Sequence, residues 1–137
     1  MFLVRVSESQ ARAYFNSSLD ILENFSVLNL STDSYQSFIS LANSSFASLE
    51  YGSFEDFYYL VKKDYSFALE TLSLFDELSS KLDWADYNGL QVPETRRLFA
   101  LSEVALDRGD YLTAVSRARD ARLTFALETV GAFNAVR

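Results

Sequence analysis

Apolar residues recur along nearly the whole chain at the three- and four-residue spacing of amphipathic helices. A first helix is predicted from Ser7 to about Leu28, because Ser7 and Gln10 match the capping-box pattern. The residues of its predicted inner face are Tyr14, Ile21, Phe25 and Leu28. Polar residues recur every four positions on another face, at Glu8, Arg12, Asn16, Asp20 and Asn24.

Two further helices are predicted in the middle of the chain. The second follows the N-cap cluster Ser31-Thr32-Asp33, and Gly52 is expected to end it. Its predicted inner face is Tyr35, Phe38, Ile39, Ala42, Phe46 and Leu49. The third helix is expected to start at Ser53, and apolar residues recur along it every seven positions, at Phe54, Val61, Ala68, Phe75 and Leu82. This heptad pattern is typical of a long helix that packs at a shallow angle against a neighbour.

The last third of the chain reads as a helical hairpin. Residues 83–92 are predicted to form the longest loop, and Pro93 suits the first position of a fourth helix that ends at Arg108. Gly109 is expected to stop that helix and Asp110 to cap a fifth one, which runs to about Phe133. Small residues share one face of the fifth helix and would allow a close neighbour: Ala114, Ala118 and Ala121.

The predicted fold is therefore all-α, an antiparallel bundle of four or five helices. With four Gly and one Pro, the sequence lacks the regularly spaced turn residues of a β-sandwich or barrel. Its 137 residues, 49% of them hydrophobic, suit one domain with a substantial core, residues 1–137. The chain could equally be a fragment of a longer protein.

One pentapeptide occurs twice, as residues 67–71 and again as residues 125–129, 58 positions later. Two interpretations remain open. Either two amphipathic helices of similar composition converged, or a helical hairpin was duplicated over residues 31–82 and 93–136, with the first helix as an added cap.

The second hairpin resembles a tetratricopeptide repeat (TPR) over about residues 95–126. The resemblance rests on the turn Gly109-Asp110-Tyr111 and on the small residues Ala114, Ala118 and Ala121. It covers half of the family motif, and the 57–58-residue spacing departs from the 34 residues of the family. The resemblance implies two stacked TPR-like hairpins plus an N-terminal helix, and peptide or protein binding on a helical surface. It assigns no binding residue.

Composition and charge exclude several functions. The sequence has no His and no Cys, which removes imidazole-based catalysis and ordinary zinc, haem or iron–sulfur ligation. A net charge of −7 with only 12 Lys and Arg argues against nucleic-acid binding. No apolar run is long enough to span a membrane. The chain is accordingly predicted not to be an enzyme, and no cofactor, metal or small-molecule ligand is expected.

N-glycosylation sequons are concentrated at the start of the chain. All four Asn residues of the first 50 positions begin an Asn-x-Ser sequence: Asn16, Asn24, Asn29 and Asn43. They fall on predicted polar faces or at a turn, where a sugar would leave the core intact. A Ser-rich solvated surface would produce the same pattern by accident. If the sequons are glycosylated, the domain is extracytoplasmic. The absence of Cys then favours the surface of a prokaryotic, archaeal-like cell. If the sequons are not glycosylated, the sequence does not assign a cellular compartment.

Four aromatic residues form the candidate interaction surface. Tyr58 and Tyr59 lie on the third predicted helix, and Tyr59 falls outside its heptad positions. Trp84 and Tyr87 lie in the predicted loop, where aromatic residues either form a binding patch or fold back over the end of a bundle.

The sequence thus favours a non-catalytic protein-interaction or spacer domain of a larger surface or secreted protein. A protein partner or a second copy of the chain would dock on its helical surface. Two alternatives are a helical accessory domain of a membrane-anchored Lon-like protease, which the Ala-rich hairpin and sequons also resemble, and a small intracellular or viral helical scaffold.

Overall fold

The computed structural model describes residues 6–135, with side chains to residue 130, and confirms the predicted all-α fold. Its α-helices are α1 (Glu8–Val27), α2 (Gln36–Ser44), α3 (Tyr51–Tyr87), α4 (Pro93–Asp107) and α5 (Tyr111–Ala135). Short 3₁₀ turns at Asp33–Tyr35 and Phe46–Ser48 flank α2. No strand occurs within the described range. Residue 136, the last of the second candidate repeat, lies outside it.

The chain divides into two compact units, the first ending at Tyr65 and the second beginning at Ser66. The boundary falls inside α3, so this 37-residue helix contributes to both. The first unit comprises α1, α2 and the start of α3. The second comprises the rest of α3 together with α4 and α5.

The local sequence explains how the helices begin and end. At the start of α1, the predicted capping box is present: the Gln10 N–H donates to Ser7 Oγ at 3.2 Å, and the Ser7 N–H to Gln10 Oε1 at 2.9 Å. Three helices end in the same left-handed turn, α1 at Asn29 (φ 57°), α3 at Gly89 (φ 68°) and α4 at Gly109 (φ 77°). In each, the next residue donates its N–H to the carbonyl five positions back.

Two predicted boundaries are wrong. The second helix ends at Ser44 rather than at Gly52, which instead lies in the first turn of α3. The Ser44 hydroxyl donates to the carbonyl of Ser40 at 2.9 Å, and such local side-chain bonds compete with helix continuation. The predicted loop over residues 83–92 is shorter than expected, because α3 continues to Tyr87.

The core of the first unit is mainly aromatic. Phe54 is fully buried and stacks on Phe46, with 4.4 Å between the ring centroids, while Phe38 stacks on Phe57 at 4.3 Å. The buried face of α1 is rotated from the predicted one, since Tyr14 and Ile21 are only half-buried and Leu28 is 39% exposed. The residues that α1 does bury are Ala11, Phe15, Ser18, Leu22 and Phe25.

Small residues determine how the second unit packs. Ala114, Ala118 and Ala121 have no exposed surface, as their predicted position on one face of α5 required. On α4, the buried Ser102 hydroxyl donates to the Ala114 carbonyl at 2.6 Å. Such a bond to a neighbouring helix's backbone is possible only where small side chains let the two helices approach closely.

A long-range contact caps the start of α4. The N-cap residue Val92 offers no side-chain acceptor, and the Glu128 carboxylate of α5 takes this role. It accepts hydrogen bonds from the Glu94 N–H at 3.2 Å, the Thr95 N–H at 2.8 Å and the Thr95 hydroxyl at 2.6 Å. A carboxylate is favourable here because the N-terminus of a helix carries partial positive charge.

Candidate protein-interaction surfaces

Three tyrosines form a cluster on the surface of the first unit. Tyr58 contacts both Tyr14 of α1 and Tyr59, with ring centroids 5.3 Å apart in each case. Tyr59 is 52% exposed. The structure therefore brings the two predicted residues of α3 together and adds Tyr14, which the sequence analysis had assigned to the inner face of α1.

These rings line a groove between α1 and α3, the tyrosine groove, with a volume of about 350 Å³. Its other lining residues are Gln10, Ala13, Ser17 and Lys62. The Lys62 ammonium lies 5.7 Å from the centre of the Tyr58 ring, within cation–π range. A hydrogen bond with Tyr59 raises the pKa of the Tyr14 phenol. The groove thus combines exposed aromatic surface with hydroxyl, amide and ammonium donors.

The other two predicted aromatic residues lie near the end of α3, in the second unit. Trp84 is 39% exposed and packs edge-on against Phe125, with ring centroids 6.3 Å apart. Both rings line a shallow apolar notch of about 280 Å³ beside Ser80 and Lys81. Tyr87, one turn further, is 91% exposed. These side chains stand on a helix and not on a loop, and Trp84 is partly covered by its own unit.

The first unit has a further groove that the sequence analysis did not identify, here called the acidic groove. It lies between the start of α3 and the segment formed by the 3₁₀ turn Asp33–Tyr35 and α2, and its volume is about 470 Å³. Its apolar lining consists of Tyr35, Phe38, Leu49, Phe57 and Leu60, and Leu60 is 51% exposed. Its polar lining consists of Ser34, Ser53 and Asp56, with no basic residue.

The four sequon asparagines are all exposed. Asn16 and Asn24 project from α1, and Asn29 lies in the turn that ends this helix. Asn43 is in the last turn of α2, and it lines a shallow groove together with Asn16. The side-chain amides of these four asparagines are therefore accessible for the attachment of a sugar.

No group of three or more acidic side chains is placed to hold a metal ion within the described residues. Surface ion pairs engage several of the charged groups of the second unit; one is the two-pronged contact of Arg119 with Glu70, which lowers the pKa of Glu70. None of the helices in this range combines the length and apolar composition that a bilayer crossing requires.

No protein-family model, no curated protein and no solved structure matches the sequence or the fold.

Proposed function

We propose that this chain is a non-catalytic protein-interaction domain that docks a partner protein at the tyrosine groove. The observation that carries the proposal is the surface cluster of Tyr14, Tyr58 and Tyr59, in which Tyr59 is 52% exposed. Core packing does not account for Tyr59, which is half exposed at the edge of a groove. Tyrosine is enriched at protein interfaces because it offers a large rigid apolar surface and one hydrogen-bonding group.

The hairpin of α4 and α5 supports the TPR-like part of the proposal. Gly109 forms the left-handed turn, Tyr111 is 1% exposed, and the small residues of α5 are buried as the family motif would require. A scaffold of this kind holds helices rigidly and leaves their outer surfaces for binding. We place the partner on the first unit because the tyrosine groove is there.

The domain is also proposed to belong to an extracytoplasmic surface or secreted protein. The exposure of Asn16, Asn24, Asn29 and Asn43 supports this location. An intact mass of the protein from its native source, increased by one to four glycans over the sequence mass, is the expected result. An unmodified mass would remove this part of the proposal.

Site-specific photocrosslinking tests the docking site. A benzophenone amino acid replaces Tyr59 in one variant and the exposed Ser9 of α1 in a matched control. We expect a discrete crosslinked partner band from position 59 alone, and its loss when Tyr58→Ala is added. Equal crosslinking from both positions would show that the tyrosine groove is not the docking site. Circular dichroism confirms that each variant retains its helices.

A further inference from the structure

The surface of α4 carries a stripe that the hairpin does not use. Leu101 and Val104 are 40% and 45% exposed, although α4 buries Leu98 and Leu106 on its other side. Arg97 and Arg108 lie at the two ends of this pair, giving the spacing i, i+4, i+7 and i+11. Residues at these intervals share one face of a helix, so the stripe is apolar in the centre and has an arginine at each end. Arg97 is paired with Glu94 on the same helix, and Arg108 directly follows the last residue of α4.

The acidic groove of the first unit is complementary to this stripe. Its apolar lining of Tyr35, Phe38, Phe57 and Leu60 could cover two aliphatic side chains. A cavity of about 150 Å³ accepts a molecule the size of benzene. The groove has a volume of about 470 Å³ and therefore has room for the side chains of both Leu101 and Val104. Asp56 is the charged residue of the lining, and Asp33 and Glu50 are the sequence neighbours of lining residues Ser34 and Leu49.

Charge favours a second copy of the chain as the occupant. Two molecules with a net charge of −7 repel each other over most of their surfaces. The α4 stripe instead carries Arg108, and Arg97 within its pair with Glu94, where it can approach the acidic groove of a second molecule. The ridge and the groove are thus complementary in polarity and in the sign of their charge, and one chain carries both.

We propose that the chain self-associates by seating the α4 stripe of one copy in the acidic groove of another. The side chains of Leu101 and Val104 lie against the apolar lining of the groove, and the arginines face Asp56. The contact is small, so the association is weak and transient. It is separate from the proposed docking at the tyrosine groove, because Tyr59 does not line the acidic groove.

A charge-swap experiment tests this contact with the whole chain. One variant carries Asp56→Lys, and the other carries Arg97→Glu and Arg108→Glu. Each variant alone would pair groove and stripe of like charge, so we expect self-association at least tenfold weaker than in the wild type. In a mixture, both possible contacts regain opposite charges, and we expect association to return. Sedimentation velocity over a concentration series measures the wild type, the two variants and their mixture, and circular dichroism verifies that the variants remain folded.

Three results would overturn the proposal. The first is a wild-type protein that stays monomeric at the highest concentration measured, and the second is a mixture that associates no better than its components. The third comes from Leu123→Ser with Leu127→Ser on the outer face of α5, where these residues are 62% and 66% exposed. If this control abolishes association and the Asp56 variant does not, the copies meet through α5 instead. Unchanged crosslinking at position 59 in the Asp56 variant would show that the two surfaces act independently.

Discussion

Replacing Glu128 by Ala should destabilise the second unit by removing the cap of α4. The carboxylate accepts three hydrogen bonds from Glu94 and Thr95, 33 and more positions earlier in the chain. Thr95 is fully buried, so water reaches its N–H less readily than that of Glu94 once the carboxylate is gone. The N–H of Glu94 lies at the surface, where water can replace the lost acceptor.

The expected loss in the free energy of unfolding follows from these differences in burial. Leaving one buried N–H without an acceptor costs about 1–3 kcal/mol. Losing a negative charge at a helix N-terminus costs roughly a further 0.3–1 kcal/mol. We therefore expect Glu128→Ala to lower the free energy of unfolding by about 2–3 kcal/mol, a decrease of roughly 6–12 °C in Tm for a chain of this size. Glu128→Gln keeps an acceptor and should lose only about 1 kcal/mol.

Urea denaturation followed by circular dichroism measures these changes. Glu103→Ala, which removes an exposed acid from α4 itself, is the matched control and should stay within about 0.5 kcal/mol of the wild type. If Glu128→Ala is no more destabilising than this control, the carboxylate does not cap α4. A double-mutant cycle with Thr95→Val separates the hydroxyl bond from the backbone bond.

Two further predictions concern α5. Ala118→Leu should cost about 1–3 kcal/mol, because it adds three carbon atoms where Ala118 has no exposed surface; the same change at the exposed Ala126 should be nearly neutral in the same assay. Since Arg119 lowers the pKa of Glu70, the wild type should exceed Glu70→Gln in Tm at neutral pH. That advantage is complete above the ordinary carboxyl pKa of about 4.3 and is lost as pH falls through the lowered pKa. A Tm difference that does not change with pH would contradict this assignment.

Signals confined to one or two turns of chain were predicted well. Ser7 with Gln10, Pro93, and Gly109 with Asp110 mark their helix ends by local geometry, and the structure has each of them in the predicted role. The Asp110 carboxylate, for example, accepts the Thr113 N–H at 3.2 Å. Such motifs act through bonds between near neighbours in the chain, so the local sequence is nearly sufficient to predict these helix ends.

Boundaries that depend on competing signals were not predictable. Gly52 has the residue type of a helix stop, but its φ is not in the left-handed region that a glycine stop uses, and the turn at Ser45 precedes it. Asp83 and Asp86 have low helix propensity, yet α3 continues past them because Leu82 and Ala85 are buried in the second unit. Tertiary packing outweighs local propensity at these positions.

The same distinction between local sequence signals and tertiary packing applies to the candidate surfaces. The sequence identified Tyr59 because it falls outside the heptad positions of α3, and this was a sound criterion for exposure. It could not place Tyr14 beside Tyr58, since the two are 44 positions apart and only the packing of α1 on α3 brings them together. The acidic groove was missed for the same reason, because its lining comes from three separate segments.

The contact between Trp84 and Phe125 gives the protein a built-in optical reporter. Trp84 is the only tryptophan and belongs to the second unit, whereas six of the eight tyrosines lie in the first 65 residues. Tryptophan emission, excited selectively at the red edge of the absorption band, follows the second unit alone. Tyrosine absorbance follows mainly the first. Whether the helix shared by both units makes them melt together can therefore be measured on the unlabelled wild-type chain, by comparing the two signals in one thermal scan.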